Sequence, residues 1–494
     1  MKATLLALAL LIAGASQAYA QAPAVSAQAP TSRAFVTQHS GVFNGQTVNY
    51  VATVGETVLK DKDGVPTISF MTTAYVREGA EGQAARPVLF LFNGGPSSAS
   101  SWLHMGAFGP KRITVPQDVG APVPKPYALQ DNPYTVLDVA DLVFIDPAET
   151  GFTRVLPGGK RADFYTAYGD AKSVAGFVEA WIKANGREAS PKYVLGESYG
   201  TIRAALMAGE LAKTMPLDGV VLMGQATNMI ETSQRASNVM AYAANLPALA
   251  AIAAYHGRAD TGGKSMAAFI DEAYAYGMGA YLSALAKGAN LSQSDREQVA
   301  ARLQAMTGIS ADYYLANRLV ITKVAFATEL LKDQGLMLAT YDARYTGPAP
   351  KAGERPIDPF AKVGDMVAPL LSEHLTQNLT VTRPMSEYRP FAPDTRGWLY
   401  NPTSGAGGPF NDYDYPAMIG EAFAANPKFR LMVGTGIYDL TTTVGPARYL
   451  AAQGYFPADR VSQKTYEGGH MAYTNEAALE AFTSDVRAFV TPRP

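Results

Sequence analysis

Two apolar patterns divide this chain. From Ala34 to about Glu78 apolar and polar residues alternate. Val42-Phe43, Val48-Asn49-Tyr50-Val51 and Thr67-Ile68-Ser69-Phe70 read there as antiparallel strands, with Asn44-Gly45 and Asp63-Gly64 as hairpin turns. After Pro87 the alternation gives way to unbroken runs, Val88-Leu89-Phe90-Leu91-Phe92 and Leu142-Val143-Phe144-Ile145. Strands buried on both faces of a parallel sheet look like this. Tyr193-Val194-Leu195, Leu217 to Met223 and Phe429 to Val433 extend the series. Val174, Phe177, Val178, Trp181 and Ile182 fall at helical spacing, and so do Leu479, Phe482, Val486, Phe489 and Val490 in a final helix.

Between Met229 and Thr403 the strand signals largely stop and Ala-rich helical stretches take over, for example 233–256 and 310–332. Ser294-x-x-Glu297 reads as a capping box that opens a helix, and the Pro-rich stretch 348–359 as a loop. The expected organisation is a core in two parts, 34–228 and 404–494, with an inserted helical lid over 229–403. The fold class is α/β, a mostly parallel central sheet flanked by helices.

The N-terminus has the style of an export signal: Lys2, an apolar Leu5 to Ile12, and Ala18-Tyr19-Ala20 as a cleavage site. That predicts a signal peptide over 1–20, a flexible Ala, Pro, Ser and Gln-rich leader over 21–33, and a periplasmic or extracellular product. No later run approaches the ~20 apolar residues that span a bilayer, so no stable membrane anchor is expected after signal removal. The 494 residues hold no cysteine, which excludes thiol catalysis and cysteine-ligated metal. A net charge of −2 without a basic block argues against a nucleic-acid partner.

The chemistry centres on Gly196-Glu197-Ser198-Tyr199-Gly200, which follows the apolar Tyr193-Val194-Leu195 and precedes a helix-like Ile202 to Leu211. In such a strand–turn–helix setting the small flanking residues let a strained turn lift the serine hydroxyl clear of the sheet. A serine needs a histidine to take its proton and a carboxylate to orient that histidine. Of five histidines (His39, His104, His256, His374 and His470), only His470 sits in a glycine-flanked turn between a candidate strand and the last helix. That is the place of the histidine in the α/β-hydrolase fold. Asp439 follows the strand at 429–433 and is the expected acid, ahead of Asp394 and Asp412, which follow no core strand. Two backbone N–H groups should form an oxyanion hole: that of Tyr199, and that of Gly95 in the turn Asn93-Gly94-Gly95-Pro96. No H-x-x-x-H or H-x-H pair offers a metal site, and the mechanism calls for no cofactor.

Taken in order, these blocks resemble the serine carboxypeptidase family. Asn93 to Pro96 with Gly109-Pro110, Asn132-Pro133-Tyr134, Phe144 to Pro147, Thr150 to Thr153, Gly196 to Gly200 and Gly469-His470-Met471 carry the resemblance, which spans about 90–475. There are departures. Ser97-Ser98-Ala99-Ser100 stands where the family usually has Gly-Cys-Ser-Ser, Leu91 or Phe92 replaces a tryptophan, the family's disulfides are absent, and the match around Asp439 is thin. The resemblance implies hydrolysis of the C-terminal peptide bond, with Asn93, Gly94 and Glu197 holding the substrate's free carboxylate. A glutamate facing a carboxylate must share a proton with it, so an acidic optimum is expected. The expected partner is a peptide with a free C-terminus. The alternatives are an esterase or acyltransferase on the same Ser-Asp-His scaffold, or an inactive secreted binding protein. Oligomeric state and the preferred terminal residue are not legible in the sequence.

Overall fold

The computed structural model of the protein describes residues 34–79, 85–351, 353–401 and 413–491. The export signal, the leader and Asp412 lie outside the described residues.

A ten-stranded sheet runs through the molecule. Three long antiparallel strands come first: β1 (Ala34–Phe43), β2 (Gln46–Lys60) and β3 (Pro66–Arg77), joined by the two hairpin turns read from the sequence. The parallel part contains β4 (Val88–Phe92), β5 (Asp141–Ile145), β6 (Lys192–Glu197), β7 (Gly219–Met223), β8 (Arg430–Gly436) and β9 (Val461–Tyr466). Their order is β1-β2-β3-β5-β4-β6-β7-β8-β9, and the two-residue strand Arg154–Val155 pairs with β3. From β5 to β9 every pairing is parallel.

The unbroken apolar runs have a structural cause. In β4, Leu89 and Leu91 pack into one core while Val88, Phe90 and Phe92 pack into the core on the opposite face. Side chains alternate across a strand, so a strand covered on both sides must be apolar at every position. Two amphipathic helices cover one face, α1 (Ala167–Ala184) and α2 (Gly200–Leu211), and both belong to the second core. The final helix, α5 (Glu476–Val490), packs Leu479, Phe482, Val486, Phe489 and Val490 into the first core.

The block between β7 and β8 is mainly helical, with one small hairpin, Leu336–Leu338 against Thr346–Pro348. Its longest helix, α3 (Val239–Tyr255), starts six residues later than the Ala-rich stretch suggested. The stretch 310–332 is two short helices, Ala311–Ala316 and Lys323–Glu329, rather than one. Between them Arg318 and Leu319 have φ of 56° and 65°, and Thr322 caps the second helix. Left-handed backbone at two successive residues cannot continue an α-helix. A third core joins these helices to Ile437, Tyr438, Leu440 and Val444, the loop that carries Asp439.

The capping box also shifts. Helix α4 (Gln293–Thr307) takes Ser292 as its N-cap, whose hydroxyl accepts the N–H of Asp295. Ser294 already lies in the first turn. Ser292→Ala should therefore cost about 0.5–2 kcal/mol and Ser294→Ala about 0.5 or less, read from urea unfolding. The reverse order would restore the original reading of the cap.

Candidate active site

The groups read as the triad and the glycine turn lie at the C-terminal ends of parallel strands. In such sheets this edge is where chain ends converge and ligands bind. The Asn93-Gly94-Gly95 turn leaves β4, Ser198 follows β6, Asp439 follows β8 and His470 follows β9. Ser198 has φ of 59°, the strained geometry of the predicted elbow. The neighbouring glycines make that turn possible. A Cβ on Gly196 would lie 2.2 Å from the carbonyl oxygen of Gly200. One on Gly94 would lie 2.5 Å from the Tyr199 nitrogen and 2.6 Å from the Glu197 carbonyl oxygen, so the glycine turn sits directly against the elbow. Ser97 has φ of 67°, a left-handed position that suits the glycine usual there.

His470 Nδ1 lies 2.7 Å from Asp439 Oδ2. Asp439 is fully buried, and its other oxygen accepts the N–H groups of Thr441 (2.5 Å) and Thr442 (3.0 Å). The Thr442 hydroxyl donates to Asp439 Oδ2 at 2.7 Å and lies 3.0 Å from His470 Nδ1. Burial lowers the basicity of His470, but the charge and hydrogen bond of Asp439 outweigh it and the imidazole's pKa ends above its ordinary value. The backbone N–H of His470 is fixed by the Tyr341 carbonyl at 2.5 Å, a contact supplied by the inserted block. Ser198 and His470 line one cavity, with no hydrogen bond between them. Such contacts are often long before substrate arrives. Neither Gly95 N–H nor Tyr199 N–H is used by a backbone bond among the described residues.

Glu197 is buried beneath this line of groups. Asn93 Nδ2 donates to its Oε1 at 2.7 Å and the Tyr473 hydroxyl to its Oε2 at 2.6 Å. Asn93 is itself oriented, because its Oδ1 accepts the Leu103 N–H at 3.0 Å. Desolvation raises the Glu197 carboxyl to a pKa of about 7; nearby His470 and the two donors pull the other way without overcoming burial. Gly94, Glu197 and Asn93 line the cavity that contains Ser198 and His470.

The other candidates are elsewhere. Asp394 is on the surface, paired with Arg396. His104 and His374 both bond the buried Tyr75 hydroxyl, at 2.7 and 2.8 Å. His256 bonds the Ala343 carbonyl, and His39 lies on β1. Sequence reasoning missed Tyr473 and Thr442, each three residues beyond a residue it had chosen, His470 and Asp439. It also missed a buried ion pair behind the elbow. Arg203 Nε on α2 donates to Asp170 Oδ2 on α1 at 2.8 Å, both side chains being almost wholly buried. Arg203 Nη1 reaches the Asn93 carbonyl at 2.8 Å, and the Tyr199 hydroxyl donates to the same Asp170 oxygen at 3.1 Å. One guanidinium thus ties the glycine turn, the elbow and two helices.

Arg203→Met strands the Asp170 charge and should cost about 3–5 kcal/mol in chemical unfolding. Adding Asp170→Asn should recover part of the loss, since no buried charge is then left unpaired. An unchanged unfolding midpoint in the single variant would contradict this role.

Comparison with known proteins bears on the family of part of the chain and on its fold. Residues 75–246 match the family model described as serine carboxypeptidase. No curated protein matches the chain. Among solved structures, a prohormone-processing carboxypeptidase from Saccharomyces cerevisiae aligns at 14% identity and a TM-score of 0.54, covering 90% of this chain and 91% of that one. A proline iminopeptidase from Mycobacterium smegmatis aligns at 14% identity, covering 88% and 97%, with a TM-score of 0.34. A haloalkane dehalogenase loop variant from Bradyrhizobium elkanii aligns at 12%, covering 92% and 96%, also at 0.34. Residues 75–246 are thus similar to the serine carboxypeptidases, and the chain has the α/β-hydrolase fold.

Proposed function

We propose that the protein removes the C-terminal residue of peptides through an acyl-enzyme, and that Asn93, Gly94 and Glu197 bind the free carboxylate of the substrate. The observation that carries this reading is the buried Glu197 carboxyl, held by Asn93 and Tyr473 in the cavity that contains Ser198, where desolvation pushes its pKa up to about 7. A neutral acid can donate a hydrogen bond to a carboxylate; an ionised one would repel it.

In this mechanism Ser198 Oγ attacks the last peptide carbonyl and its proton passes to His470 Nε2. Asp439 holds Nδ1 and stabilises the imidazolium. The N–H groups of Gly95 and Tyr199 stabilise the oxyanion. His470 then protonates the departing amino acid, and water, deprotonated by the same imidazole, releases the acyl group. Two cavities share Ser198 and Gly95. The one of about 410 Å³ holds Asn93, Gly94, Glu197 and His470, with Trp102, Tyr341 and Phe360 as aromatic walls, and takes the leaving amino acid. The one of about 210 Å³ contains Tyr199 and takes the acyl side. Export is part of this reading, resting on Lys2, Leu5 to Ile12 and Ala18-Tyr19-Ala20. No helix among the described residues is long and apolar enough to cross a membrane.

The active form has His470 neutral and Glu197 protonated. Activity on peptides should rise as His470 loses its proton and fall as Glu197 ionises near pH 7. Above that point kcat/KM should drop about tenfold per pH unit. Esters without a free carboxylate need only neutral His470 and should keep their activity. Glu197→Gln should remove the falling limb for peptides, because an amide cannot ionise. A peptide profile left unmoved by this substitution would disprove the role of Glu197.

A further inference from the structure

The acyl-side cavity contains one charged side chain, Lys323, among lining residues that include no carboxylate. Its Nζ donates to the Thr441 carbonyl at 2.7 Å, and no Asp or Glu pairs with it among the described residues. Two of its three N–H bonds have no such fixed partner. Lys323 is also placed against the local field. It is the first residue of the helix Lys323–Glu329, directly after the N-cap Thr322, where the helix dipole disfavours a cation. Burial lowers its pKa; the charge of Asp439, which is held by His470 and the Thr441 and Thr442 N–H groups and makes no ion pair with Lys323, acts the other way without overcoming burial. Around it the walls are apolar or neutral: Ile202, Met229 and Pro446, with Gln225, Asn245 and Thr443.

An unpaired, half-buried ammonium beside the nucleophile is a site for a negative charge that the substrate brings. We propose that Lys323 selects an acidic side chain, glutamate or aspartate, in the residue that precedes the scissile bond. This rests on the acyl-side assignment made above. The terminal residue itself faces the other cavity, so the substrate class is a peptide whose penultimate residue is acidic. Gln225, Asn245 and Thr443 are neutral and hydrogen-bonded within the fold, so the discrimination between Glu and Gln falls to Lys323.

The test compares kcat/KM on N-blocked Glu-Leu and Gln-Leu dipeptides and on the ethyl esters of N-blocked Glu and Gln. It uses the wild type, Lys323→Met, Lys323→Arg and Ser198→Ala, with thermal melting as the folding control. Glu and Gln are isosteric, so their ratio isolates charge. We expect the wild type to prefer Glu by at least about tenfold in both series. Lys323→Met should bring the ratio near one, and Lys323→Arg should keep the preference. A ratio near one in the wild type on peptides that are cleaved overturns this inference and leaves the exopeptidase reading in place. Peptides refused, but esters showing a Glu preference that Lys323→Met abolishes, overturn the exopeptidase reading and uphold this one. A Glu preference unchanged in a folded Lys323→Met also overturns it, and no Ser198-dependent turnover in either series overturns both.

Discussion

Glu197 lies one residue before the nucleophile, out of contact with water, and both its oxygens accept hydrogen bonds, from Asn93 and from Tyr473. Leaving such a group charged in a dry setting costs more than the two donors return, and the carboxyl stays protonated to about pH 7. The surrounding architecture serves that placement. Asn93 comes from the turn after β4, Glu197 ends β6, and Tyr473 follows β9, so three strand ends must meet for the carboxyl to be held. The same convergence brings Ser198 and His470 to the same cavity wall.

Rigid parts supply the precision this needs. The central parallel strands are buried on both faces, and the glycines of the turns allow approaches that a Cβ would block. Arg203 and Asp170 brace the elbow from behind. The inserted block adds walls to both cavities: Tyr341 and Phe360 to the one with Glu197 and His470, Met229 and Lys323 to the one with Tyr199. In the proposed mechanism core residues carry the chemistry, while inserted residues line the two cavities. The Tyr341 carbonyl also holds the His470 backbone, so the insertion is coupled to the catalytic base.

Much of this was legible from short-range pattern. The hairpins of β1 to β3 and the strand–turn–helix around Ser198 follow from alternation, turn residues and apolar runs, which are local properties. His470 and Asp439 were found because strand ends can be counted along the chain. Helix limits in the insertion were less legible, since Ala-rich sequence marks helix without marking its breaks. Arg318 and Leu319 adopt left-handed backbone with no glycine to announce it. The cap at Ser292 was missed because Ser294 offered the same motif two residues later. Tyr473 with Glu197, Thr442 with His470 and Arg203 with Asp170 are contacts between distant segments, and single-sequence reading has no signal for those. The acid Glu197 was placed by resemblance, but its burial and its tyrosine partner came only from the fold.

The most direct measurement is release of the terminal amino acid from an N-blocked dipeptide, its C-terminal amide and its ester by the purified protein at about pH 7, between the rising limb set by His470 and the falling limb set by Glu197, with Ser198→Ala alongside. Serine-dependent cleavage of the free acid, and far less of the amide, is the predicted result. Cleavage of the ester alone would contradict it and make the protein an esterase or acyltransferase.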